Sequence, residues 1–150
     1  MMPLMTPARP AIRDATPADA DAVAGLLGEL GYPCSASAAE DQLRRFTAQP
    51  RSRVQLAEVA GRVVGLVATH VVPRLDGDGP SCRITDLVVS QATRRSGIGT
   101  ALVAAAEREA RRQAAPRLDL SSGEWRADAH AFYDRLGFDA VSRGFTKRLR

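Results

Sequence analysis

Cysteine and histidine are scarce in this 150-residue chain, which contains two of each. Cys34 and Cys82 stand in unrelated sequence contexts, and His70 and His130 are isolated from both. No group of these residues has the spacing of a zinc site or of a disulfide framework. This scarcity argues against a small metal-stabilised or disulfide-stabilised protein. We expect no metal cofactor and a reduced, cytoplasmic environment.

Long hydrophobic runs are also missing. Apolar runs such as residues 63–68 are short, whereas a membrane-spanning helix needs about 20 residues. The first ten residues contain three prolines and lack the continuous hydrophobic region of a secretory signal. We therefore expect no membrane partner, a flexible N-terminal tail over residues 1–10 and a single domain over residues 11–150.

Lysine and aromatic residues are few: Lys147 is the only lysine, and aromatic residues make up 5% of the chain. The net charge of +4 comes almost entirely from arginine, whose planar guanidinium suits phosphate and carboxylate groups. An arginine-rich coding bias explains the same composition. Because aromatic residues do not interleave with the arginine clusters, we expect no nucleic-acid partner.

Some segments are rich in apolar residues of the kind found in strands, and in others apolar residues recur every three or four positions, as in helices. The sequence therefore predicts both strands and helices. The expected order is β-α-α-β-β-β-α-β-α-β-β, a mixed and mostly antiparallel central sheet flanked by helices on both faces. Strands are expected at residues 11–13, 54–59, 62–72, 83–90 and 117–120, and as two further strands from 138 to the C-terminus. Helices are expected after Thr16, after Ser35 or Ser37, over 97–115 and over 127–136.

The most informative local feature is a strand ending in residues 86–89, followed by a glycine-bearing loop, residues 94–100, that opens the longest helix. The start of a helix is an anion site, and glycine lets the backbone approach a pyrophosphate closely. A Walker loop would need a lysine that this loop lacks, and a Rossmann fingerprint would need a third glycine where Leu102 stands. The alternative is that the glycines serve only a tight strand-to-helix turn.

Two motifs together resemble the GNAT superfamily of acetyl-CoA-dependent N-acetyltransferases. Arg94, Gly97 and Gly99 match the pyrophosphate loop that this superfamily writes Arg/Gln-x-x-Gly-x-Gly/Ala. Residues 131–138, Ala-Phe-Tyr-Asp-Arg-Leu-Gly-Phe, match its second motif, an alanine-rich helix that ends in an aromatic-Tyr-x-x-Leu-Gly-Phe run. The resemblance covers residues 12–149 and implies a GNAT-type fold.

The resemblance implies how acetyl-CoA would bind. The backbone of Leu87, Val88 and Val89 would pair with the pantetheine arm beside a bulge, and one amide would polarise the thioester carbonyl. Arg126 stands where relatives often have an asparagine; it would contact a phosphate of CoA or lie solvated in the first turn of its helix. The residues expected at the pyrophosphate are Arg94, Arg95, Ser96, Gly97, Ile98, Gly99 and Thr100.

The resemblance also implies an acid and a base. Tyr133 would be the general acid that protonates the departing CoA thiolate. Many relatives place a glutamate on the strand before the tyrosine helix, where this chain has Ser121. The base that deprotonates the amine is therefore Asp86 in our interpretation, with Glu124, His70 and a water chain as the alternatives.

The function that follows is N-acetylation of a primary amine of a small molecule. No nucleophilic side chain stands out that could carry the acetyl group covalently. We therefore expect the amine to attack acetyl-CoA directly in a ternary complex. The alternatives are acetylation of a protein or peptide amine, and a non-catalytic sensor that binds acetyl-CoA. The resemblance also allows a homodimer through the C-terminal strands, whereas the identity of the amine cannot be read from a single sequence.

Overall fold

The computed structural model describes residues 9–94, 96–121, 127–141 and 144–149. The chain divides between Asp119 and Leu120 into two compact units. No helix in these described ranges is long and apolar enough to cross a membrane. The helices and strands are β1 (Ala11–Asp14), α1 (Ala20–Leu30), α2 (Ala36–Thr47), β2 (Ser52–Val59), β3 (Arg62–Val72), β4 (Ser81–Val89), α3 (Ile98–Arg112), β5 (Arg117–Leu120) and α4 (Ala127–Arg135).

The five strands form one sheet in the order β1-β2-β3-β4-β5. The pairs β1–β2, β2–β3 and β3–β4 are antiparallel. Ala60 and Gly61 join β2 to β3 with φ angles of 51° and 77°, as a two-residue hairpin turn of the right-handed sheet requires. The predicted mixed, mostly antiparallel sheet is confirmed.

Local capping determines where the first two helices begin and end. The Asp19 carboxylate accepts a hydrogen bond from the Thr16 N–H at 2.8 Å, which forms a capping box before α1. Gly31, with φ of 106°, ends α1 in the left-handed conformation. Of the two serines considered as caps for α2, Ser35 is the one whose hydroxyl accepts from the Ala38 N–H, at 3.1 Å.

Helices cover both faces of the sheet, as predicted. On one face α1 and α2 pack against alternate residues of β2, β3 and β4. On the other face α3 lies directly over Gly65 of β3, where an added Cβ would come within 2.8 Å of Leu102 Cδ1 and 3.1 Å of Ile98 Cγ2. The buried cluster under α1 and α2 consists of Val23, Leu26, Ala39, Leu43, Val54, Leu56, Leu66, Ala68 and Val88.

The close approach at Gly65 gives a test of how α3 is positioned. We expect Gly65→Ala to lower the free energy of unfolding by about 1–3 kcal/mol, because the methyl group overpacks the sheet against α3. The same shift should weaken binding at the acetyl-CoA site that the resemblance implies at the start of α3. Gly25→Ala is the control, because nothing lies within 4 Å of its added Cβ, and alanine inside a helix should be neutral or stabilising.

Urea unfolding and acetyl-CoA titration of both variants measure these effects. A Gly65→Ala protein as stable as wild type would show that α3 can move away from the sheet without cost.

The prediction of two C-terminal strands is wrong for the described residues 138–141 and 144–149, which belong to no strand. The side chains of Val141, Phe145 and Leu149 are 81%, 96% and 87% exposed. Strand propensity depends on burial and on a hydrogen-bonded neighbour, and the last of the described strands, β5, ends at Leu120. The predicted tail is described only at Arg9 and Pro10.

Candidate active site

A β-bulge interrupts β4 immediately before Asp86. Ala68 of β3 pairs with Asp86, but the next residue, Thr69, pairs with Ile84. Thr85 is therefore an extra residue on β4, and its hydroxyl donates to the Ala68 carbonyl at 3.4 Å. The bulge redirects β4 at the position where the candidate base and the candidate acetyl-CoA backbone begin.

The residues after the bulge alternate between the two faces of the sheet. Val88 pairs with Leu66 and is buried in the cluster under α1 and α2. Asp86 is two residues earlier, so it lies on the same face, and it is partly exposed. Leu87 and Val89 point to the face that α3 covers and are only partly buried. This stretch of β4 thus combines a carboxylate open to solvent with a backbone held by the core.

The loop that follows β4 is fixed by hydrogen bonds to two other elements. The Ser90 N–H donates to the Val64 carbonyl at 2.7 Å. The Gln91 N–H donates to Glu29 Oε1 of α1 at 3.0 Å, and the Thr93 hydroxyl donates back to the Ser90 carbonyl at 3.1 Å. These contacts set the position from which the chain enters α3.

Helix α3 begins with backbone amides that have no acceptor within the helix. Gly97, with φ of 82°, precedes the helix in the left-handed conformation that suits glycine. The first α-helical bond of α3 runs from the Ala101 N–H to the Gly97 carbonyl at 3.0 Å. The amides of Ile98, Gly99 and Thr100 therefore precede the intrahelical ladder. Together with the positive end of the helix dipole they form a site suited to a diphosphate.

Only part of the predicted phosphate-binding set is described. Arg94 and Ser96 are exposed beside the start of α3, where the guanidinium of Arg94 can reach a bound anion. The Ser96 hydroxyl donates to the Thr93 carbonyl. Arg95, Arg126 and Glu124 lie outside the described residues, so their predicted roles stay predictions.

Tyr133 lies in the second unit, on α4, between two other aromatic rings. Its ring centroid is 5.4 Å from that of Phe132 and 5.8 Å from that of Phe138, both in edge-to-face geometry. The chain returns to this point because the turn after α4 contains Gly137, with φ of 88°, and the Phe138 N–H donates to the Tyr133 carbonyl at 3.0 Å. Burial raises the pKa of the Tyr133 phenol, which keeps the proton on the oxygen at neutral pH.

The sequence matches the acetyltransferase (GNAT) family over residues 22–138. The chain belongs to this family. It is 35% identical over 139 residues to the aminoalkylphosphonate N-acetyltransferase of Salmonella typhimurium, a match that covers 92% of this chain and 90% of that protein.

Two solved structures share the fold of this GNAT acetyltransferase. A GNAT family acetyltransferase of Staphylococcus aureus is 22% identical with a TM-score of 0.80, and the match covers 95% of this chain and all of that one. The aminoglycoside N-acetyltransferase AAC(6')-Iy, solved in complex with CoA, is 16% identical with a TM-score of 0.83 over 97% and 99% of the two chains.

His70 is the other base candidate among the described residues of this acetyltransferase. It lies on β3 opposite Arg83 of β4. Its Nδ1 is 2.7 Å from the Ser52 hydroxyl. His70 is two positions from Ala68, the partner of Asp86, so His70 and Asp86 share one face of the sheet. The pairing register therefore brings together two of the alternatives for the base.

A cavity of about 210 Å³ was not foreseen from the sequence. Its residues come from the end of β3, the start of β4 and β5, so only the strand pairing brings them together, and no motif marks them. The Ser81 hydroxyl donates to the Asp119 carboxylate across this cavity. The cavity is lined by Val72, Arg74, Ser81, Arg83 and Asp119.

Proposed function

We propose that this GNAT acetyltransferase moves the acetyl group of acetyl-CoA to a primary amine of a small molecule by direct attack in a ternary complex. One observation carries the proposal: the loop after the bulged strand β4 leads to Gly97 and to the amides at the start of α3. The Salmonella relative is named for N-acetylation of an aminoalkylphosphonate, which supports a small-molecule acceptor over a protein.

The described residues fit acetyl-CoA. The backbone of Leu87, Val88 and Val89 follows the bulge and would pair with the pantetheine arm as an added strand does. One of these amides would donate to the thioester carbonyl, a contact that typically supplies several kcal/mol when negative charge develops on that oxygen. The amides at the start of α3 would hold the pyrophosphate, with Arg94 and Ser96 beside them.

Two groups would carry out the proton transfers. Asp86 would take a proton from the ammonium of the acceptor. It is a partly exposed carboxylate on β4, the strand whose backbone would pair with the pantetheine arm. Tyr133 would protonate the CoA thiolate, because its raised pKa keeps the phenol protonated.

The buried cysteine, Cys82, does not support a covalent acetyl-enzyme. Cys34 and Cys82 are both free thiols. Cys82 is fully buried, and burial raises the pKa of its thiol to about 11. Because the thiolate is the nucleophilic form, this residue would be a poor acyl carrier, which favours direct attack by the amine.

Thermal unfolding with acetyl-CoA, followed by a thiol-release assay against a panel of amines, tests the proposal. At about one hundred times its Kd, acetyl-CoA should stabilise the protein by about 2.7 kcal/mol. We expect release of CoA with small primary amines. No stabilisation would contradict acetyl-CoA binding, turnover only with peptides would indicate a protein acetyltransferase, and binding without any turnover would indicate a sensor.

In the same assay, Asp86→Asn tests the base. We expect kcat/KM for the amine to fall about 100-fold or more with the affinity for acetyl-CoA unchanged. Asp78→Asn, in the exposed loop between β3 and β4, is the matched control. An Asp86→Asn enzyme with wild-type rates would leave Glu124, His70 or a water chain as the base.

A further inference from the structure

Helix α1 makes a hydrogen bond to the segment that leads from β4 into α3. The Glu29 carboxylate accepts the Gln91 N–H at 3.0 Å, although the two residues are 62 positions apart in the chain. Gln91 opens a short 3₁₀ turn over Gln91–Thr93, and the first amides of a helical turn have no acceptor within that turn. Glu29 therefore provides, from another element, an acceptor that the turn itself lacks.

Helix α1 is a firm support for this bond, because its inner side belongs to the core. Val23 and Leu26 are buried in the same cluster as Val88 of β4. Glu29 is three residues after Leu26 and is exposed, so its carboxylate can be changed without opening that core. The effect of the carboxylate can thus be measured separately from the effect of the helix that carries it.

A second contact holds the same segment at its first residue, where the Ser90 N–H donates to the Val64 carbonyl at 2.7 Å. One contact fixes a point but lets a segment pivot about it, whereas two contacts also fix its direction. Local bonds continue from there towards α3. The Thr93 N–H donates to the Ser90 carbonyl at 2.9 Å, and the Ser96 hydroxyl donates to the Thr93 carbonyl directly before Gly97. The direction in which the chain enters α3 therefore depends on the bond from α1.

We infer that Glu29 is a positioning residue for acetyl-CoA. By holding the Gln91 amide, it sets where the amides at the start of α3 lie, and so it sets the affinity for the diphosphate of the cofactor. It acts through the backbone and touches no reacting atom. This inference rests on the proposed function and adds to its cofactor site a residue that lies outside both sequence motifs.

The test compares Glu29→Ala with Glu29→Gln by titration of each protein with acetyl-CoA. Alanine removes the acceptor, and we expect the Kd for acetyl-CoA to rise about fivefold, the size of a typical helix-capping bond. Glutamine keeps an oxygen acceptor on a side chain of the same length, so its Kd should stay within about twofold of wild type. Asp21→Ala, at an exposed position on the same helix, is the control and should leave the Kd unchanged.

Two further measurements separate positioning from a merely structural role. At saturating acetyl-CoA, kcat should be the same in wild type and Glu29→Ala, because the carboxylate takes no part in acetyl transfer. Hydrogen exchange at the Gln91 amide should be faster in Glu29→Ala than in wild type and should recover in Glu29→Gln. Urea unfolding should show a Glu29→Ala protein about as stable as wild type, since a carboxylate near the C-terminal end of a helix does not stabilise it.

An unchanged Kd in Glu29→Ala would overturn this inference alone. An equal rise in Kd in both Glu29 variants would also overturn it, because the charge and not the acceptor would then be responsible. Tighter binding in both variants would overturn it too, since it would mean that the carboxylate repels the diphosphate. A wild-type protein that does not bind acetyl-CoA would overturn the proposed function and, with it, this inference.

Discussion

Replacing Tyr133 with phenylalanine is expected to lower kcat by about 100-fold or more while the affinity for acetyl-CoA stays the same. A positioned general acid typically contributes about 10²–10⁴-fold to a rate, and phenylalanine removes only the hydroxyl. The ring contacts with Phe132 and Phe138 do not involve that hydroxyl, so the fold of the second unit should be retained. Single-turnover thiol release and acetyl-CoA titration measure the two quantities separately.

Tyr32→Phe is the matched control, since the chain has two tyrosines. Tyr32 follows α1 and is 68% exposed, so loss of its hydroxyl should leave both kcat and stability unchanged. If Tyr133→Phe retains the wild-type kcat, the acid is another group or a water molecule, and the role carried over from the resemblance fails for this chain.

The pKa of Tyr133 also predicts the pH dependence of the reaction. A general acid acts only while it is protonated, and burial raises the pKa of this phenol above its usual value near 10. The rate of the step that needs the acid should therefore stay constant from neutral pH upward and fall only at strongly alkaline pH. A decline that begins near pH 8 would identify a different acid.

The parts of the site that depend on neighbouring residues in the chain were predictable. Gly97 and Gly137 both have positive φ, at 82° and 88°, and both belong to motifs in which glycine was expected next to a helix end. The capping box at Thr16 and the hairpin turn at Ala60 and Gly61 are local in the same sense. In each case a side chain or its absence decides the conformation within four residues, so one sequence contains enough information.

The parts that depend on pairing between distant residues were not predictable from the residues themselves. The resemblance implied a bulge beside Leu87, Val88 and Val89, but nothing in β4 itself marks Thr85 as the extra residue, because its position depends on how β3 pairs around it. The cavity needs Val72, Arg83 and Asp119 to meet from separate strands. The C-terminal residues show the opposite error, since Val141 and Phe145 have strand propensity but no partner strand among the described residues. The register of paired strands, and which strands pair, are properties of the assembled sheet.

The position of α3, and with it the predicted pyrophosphate site, depends on a buried carboxylate beneath the second half of the helix. The side chain of Glu109 has no exposed surface. It accepts hydrogen bonds from Arg53 Nη1 at 2.6 Å, from Arg112 Nε at 2.9 Å and from Gln113 Nε2 at 2.7 Å. Arg53 belongs to β2 and in turn donates to Asp14 of β1 at 2.7 Å. The network ties α3 to two strands of the sheet.

We expect Glu109→Gln to lower the free energy of unfolding by about 3 kcal/mol, the lower end of the range for breaking a buried ion pair. The lower end applies because Arg53 and Arg112 remain 34% and 63% exposed and can be solvated without the carboxylate. Glu107→Gln is the control on the same helix. Its pair with Arg111 spans 4.0 Å between exposed side chains, so its loss should cost less than about 0.5 kcal/mol.

The pH dependence of that difference tests the cause. Burial alone would raise the pKa of Glu109, but hydrogen bonds from Arg112, Gln113 and Arg53 outweigh burial and lower the pKa from 4.5 to about 2. The ionised form of Glu109 is therefore more stable in the folded protein than in the unfolded one. Its contribution to the free energy of unfolding is fully present above about pH 5. It is lost as the pH falls from 4.5 towards 2.

Urea unfolding of wild type and Glu109→Gln between pH 7 and pH 2.5 should accordingly show two stabilities that converge as the pH falls. Asp19, whose pKa is lowered to about 2 chiefly by hydrogen bonds from Arg13, weakens both proteins equally and cancels in the difference. A difference that stays constant down to pH 2.5 would mean that Glu109 stabilises α3 through packing. Convergence would mean that the charge on one buried carboxylate holds the helix whose first amides face the proposed pyrophosphate site.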